Sequence, residues 1–72
     1  MKTLGYVIKN ARESRGMTQE DFSDAIGVSR SSVGMYETDQ REPKLSTLKR
    51  ISEVLSVPIE VLVGSASPSE SR

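Results

Sequence analysis

The side chains of this 72-residue sequence that could carry acid–base or nucleophilic chemistry are its ten carboxylates and its scattered hydroxyls. None of them has a base to work with. The chain has no His and no Cys, which removes imidazole proton transfer, thiolate attack, disulfides and the usual nitrogen and sulfur ligands of zinc. Every carboxylate then reads as a surface charge or a helix cap, and we expect no enzyme, no metal site and no cofactor. What remains is recognition by hydroxyl, amide and guanidinium groups. These concentrate in residues 18–38, Thr-Gln-Glu-Asp-Phe-Ser-Asp-Ala-Ile-Gly-Val-Ser-Arg-Ser-Ser-Val-Gly-Met-Tyr-Glu-Thr.

The elements that position these groups are helical by their spacing. Leu4, Val7, Ile8 and Ala11 stand at i, i+3, i+4 and i+7, one face of a helix that Gly16 ends. Thr18 is a natural N-cap, and Asp21 three residues on completes an approximate capping box. Phe22, Ala25 and Ile26 form the expected buried stripe of a second helix, stopped by Gly27. Ser29 can cap a third, with Val33 and Tyr36 facing inward. Asp39 to Pro43 reads as a loop. Leu45, Leu48, Ile51, Ser52 and Leu55 mark a fourth helix, broken at Val57-Pro58, and Pro58 opens a short fifth carrying Ile59 and Leu62. No alternating run long enough for a strand survives, so the fold class is all-α with one domain over 1–63. Residues 64–72, Gly-Ser-Ala-Ser-Pro-Ser-Glu-Ser-Arg, have the composition of a flexible Ser-rich tail. No apolar run approaches the roughly 20 residues of a membrane span. The N-terminus has no signal-peptide pattern, and a soluble cytoplasmic domain is expected.

Two helices of eight to ten residues joined at Gly27 by so short a turn must cross steeply. This is helix-turn-helix geometry, in which the second helix can project into a major groove. Spacing alone fits an αα-corner in any small bundle equally well.

The residues themselves go further. Thr18-Gln19-Glu20 with Phe22, then Ile26-Gly27-Val28-Ser29-Arg30, Val33, Tyr36-Glu37, Arg41-Glu42-Pro43 and Leu48 to Leu55 resemble the lambda repressor/Cro-type helix-turn-helix domain, the XRE family, from about Leu4 to Leu62 without insertion. The resemblance implies a compact five-helix domain that binds a double-stranded DNA operator, usually as a homodimer on a two-fold site, and regulates transcription in a phage or bacterium. Two positions depart from the family pattern: Ser23 replaces the usual Ala between the crossing helices, and Lys44 stands where a Ser often caps the fourth helix.

Carried onto this sequence, the resemblance implies base contacts from Arg30, Ser31, Gly34 and Met35. The planar fork of Arg30 matches guanine O6 and N7, although a phosphate contact is its alternative. Ser31 could serve any base. Met35 would offer apolar contact to a thymine methyl, unless it is core filler. Gly34 costs about 1 kcal/mol inside a helix, so either close approach to DNA or tight packing must account for it. Backbone contacts are implied for Gln19, Ser29, Ser32, Thr38, Gln40, Arg41 and Lys44. Gln19 could also brace a side chain on the third helix, and Ser29 could cap that helix while reaching phosphate. Arg12 and Glu37 are implied to form a partly buried ion pair that locks the third helix; two solvated charges are the alternative.

A different class of function is a protein-docking module, such as an antitoxin, for which Val54, Val61 and Val63 could form the contact with a protein partner or a homodimer seam. The formal net charge of zero is unusual for a nucleic-acid binder, but it is unevenly spread. Residues 1–16 carry +3, 17–28 carry −3, 29–38 balance, 39–50 carry +2 and 51–72 carry −2. Few spare positive charges imply weak non-specific contacts and reliance on base readout and dimerisation.

Overall fold

The structure is a computed structural model and describes residues 3–66. Five helices follow one another, α1 (Leu4–Ser14), α2 (Gln19–Ile26), α3 (Arg30–Glu37), α4 (Leu45–Leu55) and α5 (Ile59–Ala66), and no strand occurs among the described residues. Helical backbone thus reaches Ala66, past residue 63; the rest of the Ser-rich tail, 67–72, lies outside the described residues.

Local chemistry sets most of the boundaries. Thr3 caps α1 by accepting from the Tyr6 amide. α1 then closes where Met17 N donates to Arg12 O at 3.2 Å and Gly16 N to Glu13 O at 3.0 Å, with Gly16 at φ +70°. That is a Schellman ending, in which a left-handed glycine lets two amides return to the last turn. α2 opens with a reciprocal capping box: Asp21 N donates to Thr18 Oγ1 at 2.9 Å and Thr18 N to Asp21 Oδ2 at 3.1 Å. α4 lacks such a device, since its N-cap Lys44 makes no side-chain cap.

The core is shared by all five helices. Ile8, Phe22, Ile26, Val33, Ile51, Leu55 and Leu62 are fully buried at its centre. Leu4, Tyr36 and Leu48 close it, and Val7, Ala11, Val54 and Ile59 pack around its margin. Two positions expected inside are not. Ala25 is exposed and Ser23 is buried instead, because the inward face of α2 is defined by Phe22, Ser23 and Ile26. At 3.6 residues per turn Ala25 falls roughly 105° from the centre of that face. Ser23 can be buried because its hydroxyl donates to Glu20 O at 2.9 Å within its own helix. Leu45 is also exposed, at 59%. It is the first residue of α4, about a quarter turn away from the line of Leu48, Ile51 and Leu55.

Candidate nucleic-acid interface

The short turn between α2 and α3 is Gly27, Val28 and Ser29. Gly27 takes φ +75°, a left-handed conformation that glycine adopts without steric cost. Arg50 reaches over it from α4, its Nη1 donating to Ile26 O at 3.4 Å, so the C-terminus of α2 receives a cation. Ser29 then starts α3 by accepting from Ser32 N at 3.1 Å. Its own hydroxyl proton goes to Ser32 Oγ at 3.0 Å. Ser29 and Ser32 therefore form one hydroxyl pair at the N-terminal end of α3.

The inward side of α3 is Val33, Tyr36 and Glu37, all buried. On its other side Arg30 and Ser31 are exposed, with Ser32, Gly34 and Met35 half-buried. Gly34 has open space: a Cβ built there meets no atom within 4 Å. Tight packing inside the domain is therefore not the reason for a glycine at this position. The glycine that packs tightly is Gly5, where a Cβ would lie 2.5 Å from Glu37 O and 2.6 Å from Tyr36 O. Only a residue without a side chain lets α1 approach the end of α3 so closely.

Glu37 anchors α3 from behind. Arg12 Nε donates to Glu37 Oε2 at 2.6 Å and Arg12 Nη2 to Oε1 at 3.2 Å, a two-pronged pair in which the side chains are 9% and 3% exposed. Arg12 Nη1 donates to Met17 O at 2.7 Å, and Gln19 Nε2 donates to Glu37 Oε1 at 3.1 Å. The first turn of α2 and the last turns of α1 and α3 thus meet on one carboxylate. Such a buried pair has little net value for stability over apolar packing, but losing one member strands the other.

The remaining sequence-selected residues follow α3. Thr38 donates back to Gly34 O at 3.0 Å and accepts from Gln40 Nε2 at 2.9 Å, so these two form a local pair. Arg41 and Lys44 are exposed. With Ser32, Tyr36, Glu42 and Thr47 they line a shallow notch between α3 and the start of α4. Gln19 stands apart from that notch, beside Glu37, with its amide partly used.

Four contributors are not found by the sequence reading: Gly5, Asp39, Arg15 and Arg50. Asp39 accepts from Thr3 Oγ1 at 2.7 Å and from Gly5 N at 2.9 Å. Arg15, the residue that follows α1, donates from Nε to Leu55 O at 2.8 Å and caps α4, and Arg50 does the same for α2. A glycine in the first turn of a predicted helix, as at Gly5, was a usable signal of close approach; the two arginine caps and Asp39 had none. Among the described residues no group of three or more His, Cys, Asp or Glu side chains could hold a metal. No helix there is long and apolar enough to cross a membrane.

A five-helix core with a tight α2–α3 corner and a solvent-facing third helix defines the class of helix-turn-helix domains. Residues 8–62 match the helix-turn-helix family profile, and the chain belongs to that family, in its lambda repressor/Cro (XRE) branch. The SPbeta prophage-derived uncharacterized HTH-type transcriptional regulator YonR of Bacillus subtilis is 36% identical over 60 residues, covering 83% of this chain and 56% of that protein. The immunity repressor protein of Bacillus phage phi105 is 34% identical over 62 residues, covering 86% and 43%. Among solved structures, the N-terminal DNA binding domain of SinR from Bacillus subtilis superposes with a TM-score of 0.77 at 26% identity, covering 83% of this chain and 88% of that one. The chain spans about half the length of the curated relatives it matches.

Proposed function

We propose that this domain is a sequence-specific DNA-binding regulator of transcription in the manner of a phage or bacterial repressor. It lays α3 in the major groove and acts in the cytoplasm without catalysis. The observation that carries this reading is the construction of α3. Its outer strip of Arg30, Ser31 and open Gly34 is held from behind by the Arg12, Glu37 and Gln19 cluster. A helix fixed on its inner side and bare on its outer side is suited to reading base edges. Relatives named as HTH-type regulators and a phage immunity repressor support it.

In this reading Arg30 is the principal base reader, with Ser31, Gly34 and Met35 beside it. Ser29 and Ser32, at the positive end of α3, join Gln19, Thr38, Gln40, Arg41 and Lys44 in holding phosphates. Val61 and Val63 on α5 are exposed at 46% and 43%, which supports a homodimer seam and hence a two-fold operator. The same valines favour the second reading, docking of a partner protein.

Selection of bound sites from a random DNA pool, followed by electrophoretic shifts at two salt concentrations, tests the proposal. An enriched motif with two-fold symmetry is the expected result. A chain that retains no duplex at either salt overturns it in favour of the docking reading.

A further inference from the structure

Asp39 sits where the chain turns away from α3. Gln40 N donates to Met35 O at 2.9 Å and Asp39 N to Tyr36 O at 3.2 Å. This is the paired closure of a Schellman motif, whose left-handed position normally takes glycine. Here Asp39 takes it at φ +61°. An aspartate tolerates that conformation better than most side chains, yet at a cost glycine avoids.

The side chain explains the choice. Its two oxygens accept from Thr3 Oγ1 and Gly5 N, residues 36 and 34 positions away. α1 has no acidic residue in its own first turn, so Asp39 supplies the negative charge that the positive end of that helix favours. Directly beside it, buried Gly5 lies against the Tyr36 and Glu37 carbonyls. The start of α1 and the end of α3 are joined at this point by a carboxylate clamp and a close backbone approach.

We infer that Asp39 is a positioning residue for DNA-backbone contact: by tying the start of the α3–α4 loop to the N-terminus of α1, it fixes where Gln40 and Arg41 stand relative to α3. This rests on the DNA-binding reading above. An acidic side chain next to a phosphate-facing loop would otherwise oppose binding, and the clamp offsets that opposition. Asp39 acts through Gln40 and Arg41 and touches no DNA itself.

Asp39→Asn and Asp39→Gly in the full chain separate the clamp from the charge. Both remove the same negative charge and both suit a positive φ. Asn keeps an oxygen able to accept from the Gly5 amide, and Gly keeps none. Two measurements are made: affinity for a short mixed-sequence DNA duplex over a potassium chloride series, and amide hydrogen exchange at Gly5, Gln40 and Arg41 without DNA. Asp39→Asn is expected to bind at least as tightly as the parent with the same salt slope. Asp39→Gly is expected to bind roughly three- to tenfold more weakly than Asp39→Asn, with a slope lower by about 0.9, one phosphate contact. Its Gln40 and Arg41 amides should exchange faster. A residue that only stabilised the fold would lower the melting temperature and leave the slope of the folded chain alone. Equal affinity and slope for the two variants overturn the inference. A parent chain that binds no duplex at any salt overturns the DNA reading and this role with it. In that case faster Gln40 and Arg41 exchange in Asp39→Gly alone still distinguishes a real clamp from none.

Discussion

Replacing Glu37 with Ala removes the acceptor of three hydrogen bonds, two from Arg12 and one from Gln19. The Arg12 guanidinium is then left 9% exposed with Met17 O at 2.7 Å and a distant Glu13 carboxylate at 3.8 Å, itself on a side chain 56% exposed. Breaking a buried pair by deleting one partner costs about 3–5 kcal/mol. A domain of this size holds only about 3–10 kcal/mol in total, so Glu37→Ala should be at the margin of folding. At about 4–8 °C per kcal/mol for a small domain, the melting temperature should fall by at least roughly 12 °C. Glu37→Gln keeps the shape and one acceptor oxygen but loses the charge, and should lose about half as much. Arg12→Met combined with Glu37→Leu should recover most of the loss, since apolar isosteres replace buried pairs at little net cost. Far-ultraviolet circular dichroism during thermal unfolding measures all three. For whatever fraction remains folded, selection from a random DNA pool should return the parent motif, because Glu37 faces Arg12 and not the outer strip. A Glu37→Ala melting temperature within about 4 °C of the parent would refute the reasoning, as would an altered motif at unchanged stability.

The glycines within α1 and α3 make opposite predictions. Gly5→Ala drives a Cβ into the Glu37 carbonyl at 2.5 Å and should destabilise by about 1–3 kcal/mol in denaturant unfolding. Gly34→Gln, with nothing within 4 Å, should stabilise the free domain by up to about 1 kcal/mol yet weaken or re-aim operator binding in a shift assay. Arg30→Ala should cost about 1–3 kcal/mol at a single base pair of the selected site and little on random DNA. Arg41→Ala should weaken both alike and lower the salt slope by about 0.9; a loss confined to the operator would assign it to base reading instead.

Features governed by neighbours in the sequence were the legible ones. The caps at Thr18 and Ser29 and the break at Gly27 follow from side chains within four residues, and the structure places them there. Facial rotation was less legible. Phe22 and Ile26 fix two points of a stripe, and the packing partners decide whether the third is Ser23 or Ala25. The same limit applied to Leu45. At the candidate site, the outer residues of α3 could be chosen by family position, but Gly5 and Gly34 carry the same signal in the sequence. Only the approach of α3 to α1 makes one a contact and leaves the other open. Asp39 was the least legible. Its partners are more than thirty residues away, and nothing in its local sequence marks it as a clamp.

The arginine caps on α2 and α4 have a consequence for how such a protein would distribute itself in a cell. Arg50 and Arg15 are directed at the carbonyls of Ile26 and Leu55, and Arg12 is buried against Glu37. Three of the chain's ten basic side chains are therefore engaged in holding its own helices together, and the exposed basic residues on or beside α3 are Arg30, Arg41 and Lys44. Since random DNA is held mainly by such charges and competes with the target by sheer number of sites, a chain built this way would spend little of its time parked on the chromosome. Occupancy of its target would then follow the free concentration of the protein closely, and a small change in synthesis would be felt at the operator.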